Sequence, residues 1–165
     1  MKLESHVRGR WCAPGADRIE IRSAVTGDVV AEAASGGLDM AAVLAFGRDT
    51  GGKALRRLTF HQRADLLKKL AQHLTERKDE LYRLSLHAGA TRSDAAIDIE
   101  GGIGTLFVYA GKGRRELPNA TFLLDGVPVV TKPATVTAYV AHALMRLIVD
   151  SKVLPEGVLQ FVIGT

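Results

Sequence analysis

Near the end of the chain two short apolar runs bracket one amphipathic stretch, and this arrangement constrains the fold more than any other feature of the sequence. Val127-Pro128-Val129-Val130-Thr131 is β-branched, and Val158-Leu159-Gln160-Phe161-Val162-Ile163 is apolar at all but one position. Such near-continuous runs suit strands covered on both faces. Between them Val136, Tyr139, Val140, Ala143, Leu144, Leu147 and Ile148 fall on one face of a helix beginning near Val136. Lys132-Pro133-Ala134-Thr135 is turn chemistry before that helix, and Leu154-Pro155-Glu156-Gly157 stops it. A strand, a crossover helix and a second strand in that order describe a parallel β-α-β unit.

The preceding residues divide into strands and then helices. His6-Val7-Arg8-Gly9-Arg10-Trp11 reads as one extended piece, and Ala13-Pro14-Gly15-Ala16-Asp17 as a turn. Arg18 to Arg22 alternates polar and apolar, Thr26-Gly27-Asp28 signals a tight turn, and Val29 to Ala33 is a further strand. Together these pieces predict a small antiparallel sheet ending at Ser35-Gly36-Gly37. Asp39 is placed to cap a helix through Phe46 that Gly51-Gly52 interrupts. Thr59 and Gln62 form a capping box, opening a helix with Leu67, Leu70, Leu74, Leu81 and Leu84 as its apolar stripe and Lys68, Lys69, Arg77, Lys78 and Asp79 outside it. Gly89-Ala90-Thr91 ends that helix, and Ser93 or Asp94 would cap a third running to about Ala110. Gly111-Lys112-Gly113-Arg114-Arg115 then breaks the pattern, and Pro118-Asn119 turns the chain. The expected division is residues 1–126, a strand hairpin and helical region, and residues 127–165, the β-α-β unit.

Composition removes several functional classes. At 165 residues, with 47% apolar and 24% charged side chains, the chain can bury a single-domain core. A net charge of +4, aromatics at only 5%, and basic pairs scattered at Arg56-Arg57, Lys68-Lys69 and Arg114-Arg115 supply neither the stripe nor the stacking platform of a nucleic-acid binder. Cys12 is the only cysteine, which excludes an intramolecular disulfide and a Cys-cluster zinc site. His6, His61, His73, His87 and His142 show no metal-ligand spacing, so no metal is expected. No apolar stretch approaches the ~20 residues that cross a bilayer. Met1-Lys2-Leu3-Glu4-Ser5 lacks the apolar region of a secretory signal, so a cytoplasmic setting is expected.

Most residues that invite a chemical reading carry a plainer one. Gly101-Gly102-Ile103-Gly104 and Gly111-Lys112-Gly113 complete no phosphate-loop pattern and follow no strand, so close helix packing and helix termination are the expected roles. Asp98 and Glu100 are two residues apart and diverge on a helix. Cys12 has Arg8 and Arg10 nearby but no base partner, and is expected to be an unreactive thiol. Lys132 stands apart. It lies just beyond the carboxyl end of a predicted parallel strand, where open α/β sheets bind nucleotides, and its ammonium can donate to ribose hydroxyls or meet a phosphate.

The segment Val127-Pro-Val-Val-Thr-Lys-Pro-Ala-Thr135, its helix, and Leu154-Pro-Glu-Gly157 with the following strand resemble the cofactor-binding portion of the NAD(P)-dependent aldehyde dehydrogenase superfamily. Gly9-Arg10-Trp11 and Ala24-Val25-Thr26-Gly27-Asp28-Val29 resemble that superfamily's N-terminal strands. Thr91-Arg-Ser-Asp-Ala-Ala-Ile-Asp-Ile-Glu-Gly-Gly-Ile-Gly-Thr-Leu-Phe107, with Arg115-Glu-Leu-Pro118, is similar to the branch that acts in phenylacetate degradation. The resemblance implies an α/β fold with N-terminal antiparallel strands, a helical middle, and a partial Rossmann-like parallel β-α-β unit at the C-terminus. It also implies a parent reaction in which a CoA-linked semialdehyde is oxidised to the acid. Lys132 would bind the adenosine ribose of the dinucleotide, and Thr135 would stand where many NAD-preferring relatives carry a glutamate. A carboxylate repels a 2′-phosphate and a threonine hydroxyl can donate to one, so the resemblance implies that NADP is preferred or tolerated.

Departures from the family pattern set further expectations. The sequence stops at Thr165, before the positions at which relatives carry their catalytic cysteine and glutamate base, and Cys12 matches neither. Between Leu124-Asp125-Gly126 and Val127 relatives also carry a linking strand, an Asn-Phe-Pro turn and a helix. Covalent aldehyde oxidation needs a nucleophile, a base and oxyanion donors held together. The chain is therefore expected to be an inactive fragment with weak or no cofactor binding. With unpaired strand edges at 127–131 and 158–163 it is expected to be marginally stable and to self-associate. The alternative is a non-catalytic assembly or regulatory module that pairs through those strands with itself or with a full-length relative.

Overall fold

A computed structural model describes residues 1–13, 15–34, 36–121 and 126–164. Pro14, Ser35, Leu124, Asp125 and Thr165, which enter the turn, breaker, junction and terminus readings above, lie outside the described residues. The fold is mixed α/β, as the sequence implies. In chain order come β1 (Ser5–Val7), β2 (Arg10–Cys12), β3 (Arg18–Arg22), β4 (Val29–Ala34), α1 (Met40–Phe46), α2 (Lys53–Arg56), α3 (Phe60–Ser85), α4 (Arg92–Glu116), β5 (Val129–Thr131), α5 (Ala138–Asp150) and β6 (Leu159–Phe161).

The β-α-β unit forms as expected: Val129, Val130 and Thr131 of β5 run parallel to Leu159, Gln160 and Phe161 of β6. Its neighbours differ from expectation. His6 to Trp11 is not one extended piece, because Arg8 and Gly9 both take positive φ, the requirement of the tightest hairpin turns, and fold it into the antiparallel pair β1–β2. That hairpin does not join β3 and β4, which make a separate two-stranded sheet. It adds to β6 instead, giving the order β2-β1-β6-β5. The run 158–163 therefore presents no open edge, since β1 takes one side and β5 the other. Of the two runs, the one that holds β5 keeps an outer edge without a strand partner among the described residues.

The helical middle is longer and more continuous than its glycines suggest. Asp39 caps α1 by accepting from the Ala42 N–H at 3.0 Å. Gly51-Gly52 does not interrupt the helix: residues Gly47–Gly52 form a widened π-helical stretch that leads into α2. Glycine is needed at residue 51, because a Cβ there would collide with the backbone of Gly157. Thr59 and Gln62 complete the capping box of α3. For α4 the cap is Thr91, not Ser93 or Asp94; Asp94 is the third helical residue, whose carboxylate closes the box on Thr91. Nor does α4 end near Ala110. It continues through Gly111 and Gly113 to Glu116, because packing on α3 outweighs the ~1 kcal/mol that each helical glycine costs. Gly113 lets the helices approach until its Cβ position lies 3.1 Å from the Ala64 side chain, and the Arg114 guanidinium meets Asp65 at 3.0 Å.

Two apolar clusters meet at α5. One joins the sheets to α5 through Leu3, Ile21, Ala31, Tyr139, Met145 and Phe161. The other joins α3 and α4 to the opposite side of α5 through Leu70, Leu74, Leu81, Ile103 and Leu147. The single apolar face read from the sequence is thus two faces, and Val136, assigned to it, is 73% exposed in a 3-10 turn (Thr135–Thr137) ahead of the helix.

Candidate cofactor-binding site

The feature with binding potential is the carboxyl edge of the parallel pair. The two strands end in register at Thr131 and Phe161, and the chain leaves β5 through Lys132-Pro133-Ala134 into the 3-10 turn. Beyond β6, Val162 N–H donates to the Thr131 carbonyl at 2.9 Å, and Ile163 N–H donates to the Ser5 hydroxyl at 2.9 Å. These bonds hold the two exits side by side. A crevice at this edge is where open α/β sheets bind ligands, because backbone polar groups at strand ends point outward there.

Lys132 and Thr135 both stand at this edge. The Lys132 side chain is exposed, with Nζ 3.5 Å from the Pro133 carbonyl and no carboxylate within ion-pair distance among the described residues. It is available as a donor to an incoming oxygen. The half-buried Thr135 hydroxyl donates to the Gly164 carbonyl at 3.0 Å, tying the turn after β5 to the loop after β6. With its proton so used, Thr135 Oγ1 is left as an acceptor, and this suits a ribose hydroxyl directly. A phosphate oxygen would need that proton, taken from Gly164. Nothing in the sequence marks Gly164 as a partner, since the contribution comes from its backbone carbonyl.

The remaining candidates lie elsewhere. Cys12 is on β2, separated from β5 by two intervening strands, and its thiol lies 3.9 Å from the Arg10 carbonyl. Asp98 and Glu100 diverge on α4. Glu100 accepts from Lys78 Nζ at 2.8 Å and from the Tyr82 hydroxyl at 2.5 Å, contacts that hold its carboxyl below the usual range. Among the described residues no three His, Cys, Asp or Glu side chains converge as a metal would require.

Two buried polar side chains escaped the sequence reading. Gln160 is the one polar position in its apolar run. It is 1% exposed, donating to the Val43 carbonyl at 2.9 Å and accepting from the Arg8 N–H at 3.0 Å, so it pins α1 and the hairpin turn to the sheet. His142 is 2% exposed, packed between Trp11 and Phe161, and neither ring nitrogen has a hydrogen-bond partner. Burial, helped by the nearby Arg146 guanidinium, pushes its pKa down to about 4. The polar residue inside an apolar run was a visible signal for Gln160. For His142 there was none, because the rings that enclose it come from Trp11, more than a hundred residues earlier, and from Phe161 on the strand after its helix.

Comparison with known proteins bears on what this edge serves. The model of the aldehyde dehydrogenase family matches residues 11–123. The 3,4-dehydroadipyl-CoA semialdehyde dehydrogenase of Aromatoleum evansii is 30% identical over 212 aligned positions, covering 99% of this chain and 41% of that protein. Among solved structures, an NADP-dependent enzyme of E. coli superposes with a TM-score of 0.83 at 22% identity, covering 99% of this chain and 42% of its own. Lactaldehyde dehydrogenase from Escherichia coli superposes with a TM-score of 0.84 at 18% identity, with the same coverage. The chain spans about two-fifths of the length of these relatives.

Proposed function

Because this chain belongs to the aldehyde dehydrogenase family, we propose that it carries the adenosine-ribose edge of a nicotinamide-dinucleotide site, with Lys132 and Thr135 as its contacts. The observation that carries this reading is the pair's position at the carboxyl edge of β5 and β6, with an unpaired ammonium and a hydroxyl oxygen left as an acceptor. When bound, the cofactor would supply hydride acceptance in the parent reaction. The residues of this chain would hold and orient its ribose. Residue 135 brings no carboxylate to repel a 2′-phosphate, so NADP is tolerated, with Thr135 exchanging the Gly164 carbonyl for a phosphate oxygen.

The parent reaction we assign is the oxidation of a CoA-linked semialdehyde to its acid in aromatic catabolism, on the support of the Aromatoleum evansii relative. These 165 residues by themselves are inactive on this reading. A thiol nucleophile, a carboxylate base and oxyanion donors must converge, and Cys12 stands two strands away from the cofactor edge. A cytoplasmic setting accompanies this reading. Calorimetric titration of the purified chain with NADP and NAD tests it: the expected result is binding weaker than micromolar and no growth of reduced-nicotinamide absorbance with aldehyde. Micromolar affinity, or turnover, overturns it.

A second reading is favoured by the open edge of β5: a non-catalytic assembly or regulatory module that pairs with a second copy or with a full-length relative. Nucleic acid, membrane and metal play no part in either reading.

A further inference from the structure

Where α5 meets the N-terminal hairpin, Trp11 of β2 has a histidine on each of two elements beside it. Its ring centroid lies 4.9 Å from that of His6 on β1 and 5.2 Å from that of His142 on α5. Phe161 of β6 is the next ring, 6.3 Å from His142. Both ring nitrogens of His142 and the Nδ1 of His6 are buried without a hydrogen-bond partner. As neutral imidazoles they pack as flat rings. A proton on His142 makes both nitrogens donors and adds a charge where no acceptor is in reach, which a buried site does not hold without a large cost. The Trp11 face offers little relief, since the Arg146 guanidinium already sits 4.5 Å over that ring. The other charged groups around His142 are Glu4 and the Met1 ammonium, both ahead of β1, and Glu4 pairs with Arg146 at 2.6 Å. From β6 come only Leu159, Gln160 and Phe161, none of them titratable, and on β2 Arg10 and Cys12 alternate with Trp11 to the other face. Glu156, ahead of β6, is the carboxylate that acts on His6.

Of the elements around these rings, the hairpin has the fewest ties. β1 meets β6 through one registered pair, His6 opposite Phe161. Two bonds reinforce it: Arg8 N–H donates to Gln160 Oε1 at 3.0 Å, and Ile163 N–H donates to the Ser5 hydroxyl at 2.9 Å. Residues 1–3 are secured separately, since Leu3 N–H donates to the Glu32 carbonyl at 2.9 Å and Glu32 N–H to the Met1 carbonyl at 2.8 Å. By contrast, α5 is also held from its other side by Leu70, Leu74 and Ile103, and β5 is registered with β6 over three residue pairs. We propose that the β1–β2 hairpin is an acid-released flap: a proton on His142, joined by one on His6, lifts Ser5–Cys12 off β6 and α5 while residues 1–3 stay on β4 and α3, α4 and the β5-α5-β6 unit stay folded. Release frees the edge of β6 that β1 covers, so both margins of the parallel pair are then open. The flap does not depend on the cofactor reading.

Trp11 is the only tryptophan, so its fluorescence reports on the flap alone. His142 has a pKa of about 4 in the closed state and its ordinary 6.5 once exposed, so the open state binds more protons between those values. Opening is therefore favoured on the order of a hundredfold more at pH 4 than at pH 7. In the full chain titrated from pH 7 to pH 4, acrylamide quenching of Trp11 is expected to rise several-fold while the helical circular dichroism is still whole. Hydrogen exchange, corrected for its own pH dependence, is expected to lose protection over residues 5–12 and keep it over α3 and α4. His142→Phe abolishes the rise in quenching or moves its midpoint down by more than about one pH unit, and His6→Phe moves it less. A Trp11 that stays enclosed down to pH 4, quenching and helix content that change together, or a His142→Phe variant that opens at the native midpoint overturns the inference. If His142→Phe does not fold at pH 7, the order of the two signals in the unmutated chain decides by itself.

Discussion

The two sides of α5 are built from similar side chains and end in different states. Toward the sheets Tyr139 is 1% exposed, Met145 is buried, and Leu3 and Phe161 close over them. Toward the helical hairpin Ala143, Leu144 and Ile148 are only half-buried, and with Ile99 and Leu106 they border open volume. Neither hydrophobicity nor helix propensity separates the two sides. What separates them is how far the opposing elements cover each side: β3, β4 and β6 close over the first, while on the second Leu147 is buried against α3 and α4 but its neighbours border the cavity. An apolar stripe in a sequence therefore shows that a partner is wanted, without showing that the same chain supplies it.

The comparison can be broken most directly by one truncation made on each side. Leu3→Ala, in the closed cluster, is expected to cost about 4 kcal/mol, the upper part of the range for a fully enclosed leucine. Leu106→Ala, on the cavity wall, is expected to cost about 1 kcal/mol, since it widens a space already there. Urea unfolding of both variants gives the difference, and equal losses would mean that the cavity is filled in solution.

Acid probes the closed side alone. His142 has a pKa of about 4 folded against 6.5 unfolded, so between those values the unfolded chain binds more protons. Its contribution is whole above pH 6.5, declines as the pH falls, and is gone near pH 4, a loss of about 3 kcal/mol. Burial lowers the pKa of His6 as well, so it adds to the loss. Around His142 stand Arg146, Glu4 and the N-terminal ammonium, with Arg146 and Glu4 paired at 2.6 Å. Stability measured from pH 7 to pH 4 should fall steeply in the native chain and much less in His142→Phe.

The smallest effect belongs to the helical side. Thr91→Ala removes the hydroxyl that accepts from the Asp94 N–H and should lower stability by about 1 kcal/mol in thermal unfolding. Added to Leu106→Ala the loss should be nearly additive, because the cap and the cavity wall lie fifteen residues apart on α4 and share no hydrogen-bond partner.

What the sequence disclosed follows the reach of the forces involved. The Asp39 cap and the Thr59 capping box rest on residues within a few positions of one another, and the β5-α5-β6 unit on apolar patterns each local to its own element; each formed as read. The cap of α4 was displaced by two or three residues because three polar residues compete at that start, and geometry selects Thr91. Its far end was misread because Gly111 and Gly113 look like terminators until Ala64 lies against the helix. The pairing of the N-terminal hairpin with β6 had no local signature, being a contact between His6 and Phe161. At the candidate site, Lys132 and Thr135 were legible from the turn after an apolar strand. The bond to Gly164, which takes up the Thr135 proton, depends on a loop nearly thirty residues later.

That contact between His6 and Phe161 also sets an order in time. The helical hairpin α3–α4 is made of neighbours in sequence and can fold as soon as it leaves the ribosome. β6 lies between β1 and β5, so β1, with β2 on its other side, must wait for that partner until more than 150 further residues have been synthesised. During translation the earliest-made strands are thus the last to be secured, and a ribosome paused after α4 has emerged but before residue 159 is added would hold out a finished pair of helices beside an unclaimed N-terminal hairpin.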